Sequence, residues 1–284
     1  MKLSLSTGTL YLYPLRTVMR WARETGFDGV ELNINPEAIV RGGRALRNMA
    51  EEEGTRILTV HPCLMPIPGW QEPHGGLAHT IALAQGAGAS LVVLHVPHSE
   101  SMGEGQGRAF RARIEEWMPR LAGSGLRLAV ENKAIRNEAE LRYALAPLHK
   151  LRAFADQYDL PLVLDTCHAG SAGEDLLGAL RVFDGRLANV HLSDMGRPLP
   201  VPLPSVRRSL QEHRFPGAGL LPLEAFLQRL GSSTFAGPLT LEVNPAAMRF
   251  WWPPAARRRL VRAARWMRDV ANGERQASDA NRET

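Results

Sequence analysis

The chain has 284 residues, with 44% hydrophobic and 22% charged content and a formal charge of +5. That balance belongs to a globular protein able to bury a substantial core, and it excludes disordered and fibrous classes. No apolar run is long enough to span a membrane, and Met1-Lys2-Leu3 leads straight into a strand pattern, so neither a membrane segment nor a signal peptide is expected.

Strand-type runs alternate with helical ones along the chain. Lys2–Ser6 opens as a strand, and a helix through Val18, Trp21 and Ala22 ends at Gly26. Gly29–Ile34 is the second strand, with Pro36 starting the next helix at a position where proline is tolerated. Arg56–His61 and Ser90–His95 are the third and fourth, separated by an Ala/Leu segment that closes on the turn glycines Gly86 and Gly88. A helix over Arg111–Leu121 precedes the fifth strand, Leu126–Glu131. A longer helix from about Glu138 to Tyr158 leads to the sixth, Leu162–Asp165, which delivers Asp165 and His168 into a loop. Leu187–His191 and Leu239–Glu242 complete eight strands, and the last helix starts at Pro253-Pro254. Residues 273–284 are polar and expected to be disordered. Eight β/α units without a composition break predict one (β/α)8 barrel domain over residues 1–272, with an open doubly wound sheet as the alternative.

The excess of positive charge concentrates near the C-terminus. Arg257, Arg258, Arg259, Arg262, Arg265 and Arg268 alternate with Leu260, Ala264, Met267 and Ala271 at helical spacing, which predicts a solvated basic helix face and not a nucleic-acid footprint. Cys63 and Cys167 are too few for a disulfide framework and form no CxxC pair. With no targeting segment, a cytoplasmic protein is expected.

The strand ends carry the chemistry. Six consecutive strands finish in an imidazole or a carboxylate: His61, His95, Glu131, Asp165, His191 and Glu242. In a barrel these ends converge on one mouth. So many ionisable groups in an apolar frame are costly unless something binds them together. A divalent cation does so, and imidazole with carboxylate suits Mn²⁺, Co²⁺ or Zn²⁺, with Mg²⁺ also within the range considered.

The ordered array His61, His95, Glu131, Asp165-x-x-His168, His191-x-x-Asp194 and Glu242 resembles the xylose-isomerase-like barrels. These are the sugar (phosphate) isomerase/epimerase superfamily, which also contains the endonuclease IV type of abasic-site nuclease. The resemblance implies a metal held by Glu131, Asp165, His191 and Glu242. It also implies that Glu131 and Glu242 act as acid and base on a small sugar or polyol, with His168 and Arg197 contacting the substrate. The nuclease branch implies further ligands, here His61, His95, His168 and His213, so that one to two ions are expected.

The nuclease pattern is incomplete. Gln211 stands where an Asp-x-His pair would begin, Leu64 where a tyrosine wedge would stand, and Gly217-Ala218-Gly219 replaces Gly-Glu-Gly. The resemblance therefore points first to an isomerase or epimerase. A metal-dependent phosphodiester hydrolase, an inosose-type dehydratase and a non-catalytic metal or sugar binder are the alternatives. Nucleic acid is the weaker partner class, no membrane partner is expected, and a homo-oligomer is compatible with the sequence. Asp194 is expected either to orient His191 or to cap its loop, and Glu31 either to line the mouth or to pair with an arginine. Trp70, Trp251 and Trp252 are read as walls for a sugar face or as loop packing. Arg207 and Arg208 are read, with Arg197, as candidate phosphate contacts.

Overall fold

A computed structural model describes residues 1–70, 75–197, 202–203 and 210–274. Eight parallel strands close on themselves in sequence order: β1 (Lys2–Ser6), β2 (Gly29–Asn33), β3 (Ile57–His61), β4 (Leu91–His95), β5 (Arg127–Glu131), β6 (Leu162–Asp165), β7 (Leu187–Leu192) and β8 (Pro238–Leu241). The open sheet is ruled out by the pairing of β1 with β8, in which Leu3 lies beside Leu239 and Leu5 beside Leu241. The helices are α1 (Leu15–Glu24), α2 (Pro36–Arg41), α3 (Gly43–Glu52), α4 (Gly76–Ala87), α5 (Gly105–Leu121), α6 (Leu148–Gln157), α7 (Thr166–Ser171), α8 (Leu176–Phe183), α9 (Leu223–Gly231) and α10 (Pro253–Ala271). Among the described residues no helix is long and apolar enough to cross a membrane.

Period-two alternation places every second strand residue inside the barrel. Leu5, Val30, Val60, Val92, Leu128, Leu164, Val190 and Leu241 are buried in the main core that joins the strands to the helices. Leu91, Val93, Ala129 and Val163 form a separate buried cluster, and they share the inward parity of His95, Glu131 and Asp165. On the other staves the inward residues are polar and buried: Ser4, Ser6, Glu31, Thr59, Asn189 and Thr240. The inside of the barrel is thus apolar beneath β4–β6 and polar beneath β7, β8 and β1–β3.

Three local expectations change. The long helix over 138–158 is a 3-10 turn at Glu138–Arg142 followed by α6, because Pro147 cannot continue a helix and stands at the N-cap of α6. Gly86 is not a turn residue: it lies within α4 against α3, where a Cβ on Gly43 would fall 2.3 Å from the Leu83 carbonyl. Gly88, with φ of 71°, does cap the helix. The segment after Asp165 is the short helix α7 and not a loop, capped as the Asp165 side chain accepts from the His168 N–H at 2.7 Å.

The last helix buries Leu260, Ala264, Met267 and Ala271 as its spacing predicts. Several of its arginines are engaged within the chain. Arg257 pairs with Glu24, Arg268 donates to the Gly26 carbonyl, and Arg259 lies over Phe215 at 4.3 Å. Residues 275–284 and the two arginines Arg207 and Arg208 lie outside the described residues.

Candidate metal centre

The strand ends are held in place by side chains that substitute for ladder bonds where the staves splay apart. Asn132 accepts from the Asp165 N–H at 2.7 Å and donates to the Asp165 carbonyl at 3.0 Å, which ties β5 to β6. Thr166 donates to the Ser193 carbonyl at 2.7 Å and accepts from its N–H at 3.1 Å, which ties β6 to β7. Neither pair has a periodic signal in the sequence, because each acts between the ends of two neighbouring staves and not along one strand.

On this rim the expected residues fall into three overlapping groups, with donor atoms within 4.8 Å of one another in each: Glu131, Asp165, His191 and Glu242; His61, His95 and Glu131; and Asp165, His168 and His213. Glu131 and Asp165 are each shared by two groups. At the centre, His191 Nδ1 lies 3.0 Å from Glu131 Oε1, 2.9 Å from Glu242 Oε2 and 4.0 Å from Asp165 Oδ2. Arg197 stands on the exposed loop beyond β7, next to residues outside the description.

Three carboxylates around one imidazole nitrogen are an unbalanced arrangement at such burial. Burial disfavours the His191 cation, yet the charges of Glu31, Glu242 and Glu131 outweigh it and raise its pKa well above the ordinary imidazole value. Burial works against the two glutamates as well. His191 and His95 nevertheless hold Glu131 well below the usual carboxylate range, and His191 holds Glu242 below it. Asp165 Oδ2 is buried without a hydrogen-bond partner, and Glu131 Oε2 has only the His95 ring beside it. Such oxygens, beside nitrogen and carboxylate donors, fit a divalent metal.

The histidine pair repeats the pattern. His61 Nδ1 donates to the Pro62 carbonyl at 3.0 Å, which leaves the Nε2 lone pair facing His95 Nε2 at 3.0 Å. Glu131 Oε2 lies 3.1 Å from His95 Nε2 and 4.0 Å from His61 Nε2. Burial lowers the His61 pKa, so this ring stays neutral with its lone pair available. His168 is set likewise: Nδ1 contacts the Asn132 carbonyl at 3.0 Å, which leaves Nε2 for another partner. His213 takes the left-handed conformation with φ of 50°, and its Nδ1 lies 3.1 Å from Ser193 Oγ.

Glu31 is the residue whose role the sequence leaves open. It is fully buried on β2 and pairs with no arginine among the described residues; its Oε2 accepts from Thr59 Oγ1 at 2.8 Å, Asn189 Nδ2 at 2.9 Å and His191 Nε2 at 2.9 Å. A carboxylate behind a histidine fixes its ring orientation, here with Nδ1 facing Glu131 and Glu242. Asp194 does not touch His191. It caps the loop instead, accepting from the N–H groups of Met195, Gly217, Gly219 and Leu221. Gly219 is required there, since a Cβ would fall 2.3 Å from Asp194 Oδ1.

The cysteines are buried and free. Burial and the nearby Asp165 raise the Cys167 thiol far above its usual value, which makes it inert. Trp70 packs against the core, while Trp251 and Trp252 are 65% and 50% exposed and stack with Phe250 and Arg258, not with the three groups.

A closed (β/α)8 barrel with histidines and carboxylates gathered at the C-terminal ends of its strands defines the class. A family model described as "Xylose isomerase-like TIM barrel" matches residues 19–270, and the chain belongs to that family. The uncharacterized protein Rv0498 of Mycobacterium tuberculosis is 30% identical over 269 residues, covering 87% of this chain and 90% of its own. Among solved structures, 3-keto-D-glucoside 4-epimerase YcjR from E. coli is similar with a TM-score of 0.67 at 16% identity, over 94% of this chain and 99% of its own. The protein IolI, crystallised with a zinc atom, is similar with a TM-score of 0.68 at 15% identity, over 98% of this chain and all of its own.

Proposed function

We propose that the chain is a divalent-metal-dependent isomerase or epimerase acting on a small hydroxylated carbonyl compound of the sugar and polyol class. The observation that carries the reading is the pair Glu131 and Glu242, both within 3.0 Å of His191 Nδ1 and beside the orphaned oxygen of Asp165. Glu131, Asp165, His191 and Glu242 would hold the ion. When bound, such an ion polarises a carbonyl and its neighbouring hydroxyl and acidifies the carbon-bound proton between them. The chain's own part is proton transfer: one glutamate takes that proton, and the other returns one to the opposite face or to the adjacent carbon. Glu131 enters from β5 and is closed off from solvent, whereas the Glu242 side chain is 19% exposed at the mouth. Glu31 would keep the His191 ring in register through both steps, and His168, whose Nδ1 is occupied by the Asn132 carbonyl, would meet a substrate oxygen through Nε2. Epimerase and zinc-bound neighbours of the same fold support this reading by analogy only.

A second reading, a multinuclear phosphodiester hydrolase, is favoured by one observation: the His61–His95–Glu131 and Asp165–His168–His213 groups offer sites for further ions. The two separate experimentally. Protein purified without added metal should carry one tightly held ion per chain, and the loaded protein should exchange a substrate C–H for deuterium in D₂O across a panel of ketoses and inososes. Two or more tightly held zinc ions with efficient nicking of an abasic oligonucleotide would overturn the isomerase reading.

A further inference from the structure

A cavity of about 230 Å³ begins at His61 and His95, and no other residue of the three groups lines it. Its lining passes from those strand ends to Leu77 of α4 and to Phe110 and Ile114 of α5, with Cys63, Trp70 and Leu94 completing the walls. Leu77, Leu94, Phe110, Ile114 and Cys63 are buried core residues, so the walls are firmly packed. Thr80 borders the space, but its hydroxyl is already bonded to the Gly76 carbonyl at 2.8 Å. Arg113 borders it too and is engaged in interactions of its own. Exposed Leu64 marks the outer lip.

Glu131 connects this space to the metal centre. Its Oε2 reaches 3.1 Å from His95 Nε2 on the cavity wall, while its Oε1 lies 3.0 Å from His191 Nδ1 in the four-residue group. One carboxylate therefore spans from the cavity to the centre. We propose that the cavity receives an apolar arm of the substrate, an aryl ring or short alkyl chain attached to the hydroxylated carbonyl that sits at Glu131, Asp165, His191 and Glu242. This rests on the proton-transfer reading and narrows its substrate class. A free sugar bears an oxygen on every carbon, and those hydroxyls would lose their hydrogen bonds against such walls. An apolar cavity of about 150 Å³ is enough to take up benzene, so the space here accommodates a phenyl ring with a short chain.

The test compares hydroxyacetone with 1-hydroxy-4-phenylbutan-2-one on full-length protein loaded with diamagnetic Zn²⁺, by calorimetry and by deuterium exchange at the carbinol carbon. The aryl ketone should bind at least about tenfold tighter, as expected for apolar groups filling a fitted pocket. Leu77→Phe, which fills the cavity, should cut that ratio below about twofold. Independently of any variant, the Leu77 and Ile114 methyl resonances should shift with the aryl ketone and stay still with hydroxyacetone. Equal affinity of the two compounds, no binding of either, or tighter binding without those methyl shifts overturns the proposal. Tighter aryl binding with the methyl shifts but without exchange supports the cavity assignment and retires the proton-transfer reading.

Discussion

Glu31→Gln tests whether a carboxylate that would touch no ion nevertheless sets the centre's affinity. The replacement keeps shape and removes charge, so Thr59, Asn189 and His191 share a neutral amide oxygen in place of a carboxylate, and His191 loses its charged acceptor at 2.9 Å. Loss of such a partner behind a metal-ligating histidine typically weakens binding by about 10–100-fold. At an ion concentration of about 100 times the wild-type Kd, binding stabilises the folded state by about 2.7 kcal/mol, which falls to roughly 1.4 or 0.4 kcal/mol for the variant. For a chain of this size that loss lowers the melting temperature of the loaded protein by about 2–5 °C. Metal-free protein should respond differently, because removing one of several crowded carboxylates offsets the weaker hold on the His191 proton. The measurement pairs chelator-competition titration with thermal melts of loaded and metal-free protein. An unchanged metal Kd would refute the assignment of Glu31 as the residue that orients His191.

Proton linkage gives a second outcome. His191 has a raised pKa in the metal-free fold, so its stabilising contribution is complete below about pH 6.5 and is lost as pH rises through the folded value. Metal binding near neutral pH should therefore release about one proton per ion, read by calorimetry in buffers of differing ionisation enthalpy; zero release would contradict it. Glu131→Gln and Glu242→Gln should each cut turnover by at least about 100-fold, and a variant that kept normal exchange would remove that glutamate from the acid–base pair. His213→Ala should leave metal stoichiometry unchanged if a single ion binds, and lower it by one if the Asp165–His168–His213 group holds another. Asp194→Ala removes four backbone N–H partners at once and should cost about 3 kcal/mol, with proteolysis appearing first in the 213–221 loop.

The residues themselves announced much of this protein. Eight strand runs separated by helical segments encode the barrel, because each strand must present an apolar face to the helices that cover it, and the barrel mouth is where its staves run out. The same parity that puts Thr59 two residues below His61 and Asn189 two below His191 is already in the sequence. So is the list of ligand-type side chains, since His61, His95, Glu131, Asp165, His191 and Glu242 are all strand-end residues.

Which of those residues come together, and what supports them, was decided only by closing the barrel. Asn132 and Asp165 are 33 positions apart on neighbouring staves, whereas Glu31 and His191 are 160 apart on β2 and β7, and their bond exists because the closed barrel brings non-adjacent staves into reach. Asp194 stands close to His191 in sequence and yet turns to its own loop, since four N–H groups converge on it there. The apolar cavity beside His95 is likewise a product of how α4 and α5 lean on the strand ends, and no periodicity reports an empty space. Sequence determines which side chains face inward; only the closed sheet determines which of them meet.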